Sequence, residues 1–146
     1  MSAKKLFNDP DKVVDEALDA LVATNPGVNA LENHRVIVRT DLESIAGKVA
    51  IVCGGGSGHE PAFAGYVGKG CLSAAVAGSV FASPPPTSIL AAILTLAEHN
   101  PSGILIVRWL ACSCSFAELF DFNFRWFTTT LVIESISGSP WREREP

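Results

Sequence analysis

The sequence predicts an α/β fold, a partial and mostly parallel sheet flanked by helices, on three observations. The runs Val49-Ala50-Ile51-Val52-Cys53 and Ile104-Leu105-Ile106-Val107 are almost wholly apolar, as parallel strands covered on both faces tend to be. Two segments, around Val14 to Val22 and Ile89 to Ala97, place apolar residues at helical spacing. Strand-like and helix-like segments then alternate along the chain, the order from which α/β domains are built. With 146 residues, the length fits one domain with a core of its own.

The first helix is capped by Asn8 or Asp9, carries Pro10 and Asp11 in its first turn, buries Val14, Leu18, Leu21 and Val22, and stops at Asn25-Pro26-Gly27. Arg35-Val36-Ile37-Val38-Arg39 reads as a short, exposed β-branched strand, and residues 41–47 as a turn with a little helix around 42–45. A strand over 49–53 leads into a glycine loop, and a helix starts at Glu60, with Pro61 tolerated in its first turn. Residues 72–77 form another buried strand. Ser83-Pro84-Pro85-Pro86 breaks the chain, Thr87 or a neighbour caps the second helix, and Asn100-Pro101-Ser102-Gly103 ends it.

Beyond Val107 the composition changes. Eight of the twelve aromatic residues lie from Trp109 onward, whereas eight of the twelve glycines lie between Gly54 and Gly78. Phe120, Phe122, Phe124 and Trp126 alternate with polar residues, the period-2 mark of a strand, and residues 128–133 continue a β-favouring run suited to an edge strand or hairpin.

Composition also excludes classes. A net charge of -4, with 11 scattered basic residues, gives no footprint for nucleic acid. No apolar run approaches the ~18 to 20 residues of a membrane span, and Met1-Ser2-Ala3-Lys4-Lys5 leads into no hydrophobic signal segment, so a cytoplasmic address is expected. Cys53, Cys71, Cys112 and Cys114 make no metal-binding spacing and are expected to be free, buried thiols, with no metal site.

The segment Gly54-Gly55-Gly56-Ser57-Gly58-His59-Glu60-Pro61 carries the chemistry. It fails three common patterns. A dinucleotide fingerprint needs glycine where His59 stands, a Walker loop needs Gly-Lys-Ser/Thr, and a nucleophile elbow on Ser57 again needs glycine at 59. What remains is bare backbone beside a histidine at the carboxyl end of a strand, where ligands of open parallel sheets sit. Main-chain N–H groups there could hold a small polar molecule, with His59 accepting a proton from its hydroxyl and Glu60 orienting the ring or starting the helix. A local turn with His59 bonded nearby is the plainer alternative. His34, His99 and Lys69 read as structural or solvated.

Lys4-Lys5-Leu6, Asn25-Pro26, His34-Arg35-Val36, the glycine-histidine octapeptide, Gly68-Lys69-Gly70, Ala77-Gly78, Phe81-Ala82-Ser83-Pro84 and Ser88-Ile89-Leu90-Ala91-Ala92 resemble the amino-terminal part of dihydroxyacetone kinases. The likeness is to the substrate-binding, DhaK-type domain of the triokinase/FMN cyclase-like members, over roughly residues 3–107. It implies an incomplete domain of that type, in which Gly56, Ser57, Gly58 and His59 contact dihydroxyacetone and His59 assists deprotonation of the hydroxyl that is phosphorylated. It further implies Mg-ATP as phosphate donor, supplied in the parent family by a separate domain, with none bound by this chain.

Three departures follow. The family continues after the last strand with a lysine and a Thr-Gly-Asp segment, where this chain has Arg108-Trp109-Leu110-Ala111-Cys112-Ser113. The family's second histidine, which holds the ketone covalently, has no counterpart, since the histidines are 34, 59 and 99. The ATP domain is expected to be absent as well. The expectation is a truncated kinase, inactive alone, with 1–107 family-like and 108–146 a divergent tail from another reading frame, intron or exon. The alternatives are a non-catalytic isoform pairing with a full-length subunit and a small-ligand binding module.

Overall fold

The structure is a computed structural model that describes residues 8–99, 101–109 and 128–134. Helix α1 spans Val13–Thr24, strand β1 Val28–Ala30, β2 Val36–Arg39, β3 Val49–Ser57, β4 Ala74–Val80, helix α2 Pro86–Ala97, β5 Gly103–Trp109 and β6 Thr128–Glu134, with short 3-10 turns at Leu42–Ile45 and Ala64–Tyr66. The six strands form one sheet in the order β1-β2-β4-β3-β5-β6. The α/β class expected from the sequence holds. The parallel part is the central trio β4-β3-β5, while β1, β2 and β6 join it antiparallel.

A helix on each face accounts for the burial pattern. Alternate strand residues point to opposite faces, so Val36, Val38, Ala74, Val76, Ala50, Val52 and Ile104 pack with Ala92 and Leu96 of α2. On the other face Ile37, Ala75, Val28 and Val67 pack with Leu18, Leu21 and Val22 of α1. Strand β2, expected to be exposed, is therefore buried at all four positions. Even Arg39 is buried, its guanidinium reaching Asp41 at 2.5 and 2.6 Å and Ser44 Oγ at 2.9 Å.

The helix ends differ from expectation in a physically simple way. Asp9 does not cap α1; its Oδ1 accepts the Asp11 N–H at 3.0 Å, which makes a tight turn that delays the helix to Val13. The stop at Asn25-Pro26-Gly27 is as expected, with Asn25 Oδ1 accepting the Gly27 N–H. Helix α2 begins at Pro86 with Pro85, not Thr87, in the capping position; proline at the first turn forgoes only N–H groups that have no intrahelical partner. The short hairpin between β1 and β2 was not anticipated. Its turn passes through Asn33 at φ 60°, a conformation asparagine tolerates better than most residues.

The glycine segment is the largest departure from the sequence reading. It is not a loop: Gly54, Gly55 and Gly56 continue β3, with Gly54 opposite Val76 and Arg108, and Gly55 opposite Ala77. Strands on both sides supply ladder partners for Gly54 and β4 supplies one for Gly55, which overrides the weak strand preference of glycine. The helix expected from Glu60 is replaced by turns, and its only helical piece is the 3-10 segment Ala64–Tyr66. Strand β6 confirms the β-favouring run over 128–133, whereas the alternating aromatic stretch 120–126 lies outside the described residues. No helix among the described residues is long and apolar enough to cross a membrane.

Candidate functional site

Position by position, the end of β3 is shaped by backbone approach. A Cβ on Gly54 would lie 2.9 Å from the Val76 carbonyl oxygen, one on Gly55 2.7 Å from the Phe63 ring, and one on Gly56 2.8 Å from the Ala82 amide nitrogen. The tightest point is Gly78 in β4, where a Cβ would meet the Ala82 carbonyl oxygen at 2.0 Å. These glycines are needed for lack of a side chain. Gly58, at φ 113°, is needed for backbone freedom.

The close approach ties two segments together at the carboxyl end of the parallel strands. Ser57 Oγ donates to the Gly78 carbonyl at 2.8 Å, and the Ser57 carbonyl accepts the Phe81 N–H, also at 2.8 Å. Ser57 is buried, so its hydroxyl is committed to holding the fold. The Gly58 N–H donates to both carboxylate oxygens of Glu60, at 3.0 and 3.1 Å. Glu60 thus neither starts a helix nor touches the imidazole; it occupies the amide that sequence reasoning offered to a ligand.

His59 is exposed beyond Gly58. Its carbonyl accepts the Ala62 N–H at 3.2 Å, and its ring meets Phe81 edge-to-face, centroids 5.4 Å apart at 83°. Two largely apolar cavities flank the glycine strand. One of about 230 Å³ lies under α1, against Leu18, Leu21, Gly56, Ser57 and Phe63. The other, about 240 Å³, lies on the α2 side against Gly54, Pro84, Ile89 and Val107. His59 lines neither of them and faces open solvent above the strand ends. Of Gly56, Ser57, Gly58 and His59, the last two are exposed, Gly56 is half-buried and Ser57 is buried.

The other ionisable candidates lie apart. His34 Nδ1 is 3.4 Å from Ser88 Oγ, and His99 Nδ1 is 3.1 Å from Glu43 Oε1 at the opposite end of the sheet. Lys69 is exposed on the turn before β4. Cys53 is buried as expected, and burial pushes its thiol up to about 11, whereas Cys71 is exposed on a glycine-rich turn, contrary to expectation; Cys112 and Cys114 lie outside the described residues. Phe81 is the residue that sequence reasoning passed over. Its signal was present in the Phe81-Ala82-Ser83-Pro84 motif, but nothing in the sequence says that this turn folds back onto the glycine strand.

Comparison with known proteins assigns the fold to a family. The Dak1 domain model matches residues 19–108, from within α1 to β5. The chain is similar to the triokinase/FMN cyclase of Mus musculus, 52% identical over 107 residues that cover 73% of this chain and 18% of that protein. It is also similar to the PTS-dependent dihydroxyacetone kinase 1, dihydroxyacetone-binding subunit DhaK, of Listeria innocua, 48% identical over 72% of this chain and 31% of that subunit. Among solved structures, the dihydroxyacetone kinase from C. freundii in complex with AMP-PNP and Mg2+ superposes with a TM-score of 0.62 at 36% identity, over 72% of this chain and 20% of that one. The chain thus spans under a fifth of the curated animal relative and about a third of the bacterial subunit. On the Dak1 match and these relatives, it belongs to the dihydroxyacetone kinase family.

Proposed function

We propose that this chain carries the glycine-histidine half of a dihydroxyacetone kinase site. In this reading Gly56, Ser57, Gly58 and His59 form the triose-binding segment, and His59 accepts the proton of the hydroxyl that receives phosphate. The observation that carries it is the exposed imidazole of His59, next to Gly58, at the carboxyl ends of three parallel strands. An imidazole can accept a proton on its unprotonated ring nitrogen, which suits that transfer. Because Ser57 Oγ is already bonded to Gly78, serine acts by fixing the backbone and not by touching the triose. The Gly58 N–H reaches a ligand oxygen when the Glu60 carboxylate swings off it, an exchange of one acceptor for another.

Phosphoryl transfer depends mainly on positioning and on neutralising charge on the phosphates. The described residues do not fit Mg-ATP. They contain no group of three or more His, Cys, Asp or Glu side chains placed to hold a metal ion, and the glycine strand runs into Gly58-His59-Glu60 where a phosphate loop would carry lysine. We take the nucleotide to be supplied by another domain or subunit; the Listeria relative is itself named as one subunit of its kinase, the dihydroxyacetone-binding one.

Residues 1–107 are the family-like part in this proposal and 108–146 a divergent tail, in which Arg108-Trp109-Leu110 stands where the family places a lysine and Thr-Gly-Asp. With that aspartate replaced, triose binding by these 146 residues is weak and they are inactive alone, and a cytoplasmic location belongs to the same proposal. The test is turnover of dihydroxyacetone by the purified chain with Mg-ATP, alone and with an added ATP-binding domain. No product from the chain alone is expected, and product above background from it would overturn the claim of inactivity.

A further inference from the structure

We propose that Phe81 is the positioning residue for His59, an aromatic stop that fixes which way the imidazole faces. The inference rests on the reading of His59 as proton acceptor. Phe81 follows β4 with φ 53°, a left-handed conformation that is an outlier for a bulky residue. Its side chain is 66% exposed, so burial does not explain the ring. If the turn alone mattered, glycine or asparagine would make it with less strain and without exposing an aromatic surface. The ring must therefore serve something outside its own turn, and what it meets is Gly58 and His59. A Cβ on Gly58 would be 3.1 Å from Phe81 Cζ, and the imidazole stands edge-to-face at 5.4 Å, an arrangement aromatic pairs favour.

The surroundings hold this strained residue in place. The Phe81 N–H donates to the Ser57 carbonyl at 2.8 Å, and the Ala82 N–H closes the turn onto Ser79 at 3.0 Å. Ser57 Oγ reaches back to Gly78 at 2.8 Å. Gly56 and Gly78, by having no side chains, let Ala82 lie directly on the strand ends. Ring and imidazole are thus anchored through one small hydrogen-bonded frame, so the orientation of one is set by the position of the other. Proton transfer is sensitive to displacements on the scale of an ångström, which gives such a stop a catalytic consequence.

The test is NMR of the isotope-labelled 146-residue chain, unaltered and with Phe81→Tyr, Phe81→Leu or Phe81→Gly. In the unaltered chain and in Phe81→Tyr, cross-peaks join the two rings and the His59 side-chain couplings report one rotamer. In Phe81→Leu and Phe81→Gly the couplings collapse to a rotamer average, while the Ser57 amide shift is retained and the melting temperature of Phe81→Gly is equal or higher, since its strain is relieved. Absence of ring-to-ring cross-peaks in the unaltered chain, unchanged His59 couplings in the variants, or a lower melting temperature for Phe81→Gly would each overturn the proposal. Dihydroxyacetone added to the same samples separates the two readings. A triose that leaves His59 of the unaltered chain unperturbed counts against the triose site, while the couplings still decide the role of Phe81.

Discussion

Strand β3 is two strands in one. From Val49 to Cys53 it is held by side chains: Ala50 and Val52 are buried between β4, β5 and α2, next to Leu96 and Ile104. From Gly54 to Ser57 it is held by the absence of side chains, with the Val76 carbonyl, the Phe63 ring and the Ala82 backbone occupying the space where Cβ atoms would be. The first half is a core that any well-sized apolar residue could approximate. The second leaves little such latitude, because at Gly54 and Gly56 the nearest contacts are backbone atoms that cannot turn aside, and only at Gly55 is it a side chain, the Phe63 ring. A site built there gains a rigid floor, and the exposed pair Gly58-His59 stands on it.

If the two halves differ in this way, addition should break one and removal the other. The largest effect falls where β4 meets the glycine half, at Gly78, whose carbonyl Ser57 holds. Gly78→Ala sets a Cβ against the Ala82 carbonyl, which would lie at 2.0 Å, and is expected to cost about 3 kcal/mol or more in urea unfolding, since only backbone movement relieves it. Val52→Ala tests the side-chain half. Val52 is 1% exposed, and the lost methyls with the space left behind should cost about 2 kcal/mol, measured the same way. A Gly78→Ala variant as stable as the parent would show that the turn at 79–84 does not pack on the strand as described.

How far each half was legible follows from the same contrast. Apolar runs, helical spacing and proline breaks announce side-chain packing, so β3 to Cys53, β5, both helices and the α/β class were readable. Glycines announce only a lack of constraint, and Gly54-Gly55-Gly56 read as a loop because no local signal says that β4 and β5 flank them. The burial of β2 was missed for a related reason: the charged residues around Val36, Ile37 and Val38 suggested an exposed strand, while Arg39 is accommodated by Asp41 and Ser44. His59 was legible as a candidate. Phe81 was not, since its meeting with His59 depends on a turn whose approach requires Gly56 and Gly78 together.

A smaller effect lies outside β3, at the end of β2. The hydrogen bonds from Arg39 hold the Asp41 carboxyl at about 2, below its ordinary 3.8. A depressed carboxylate adds stability that is fully present above the ordinary value and lost as pH falls through the folded one. Acid should therefore weaken the clamp between Arg39 and Asp41 from about pH 4 down to about pH 2, and Asp41→Asn should remove that part of the acid dependence. Thermal melts across that range check it, and an unchanged slope in Asp41→Asn would show that the pair contributes nothing to folding.

The most direct measurement is a titration of dihydroxyacetone into the labelled chain, followed at the Gly58 amide and the His59 ring, with His59→Asn as the control. Triose contact at the strand ends predicts concentration-dependent shifts at both groups, small shifts at Val52 and Leu96 deep in the core, and loss of the response in His59→Asn. No change at Gly58 or His59 even at millimolar ligand, or an identical response in His59→Asn, would contradict the assignment of this surface to the triose.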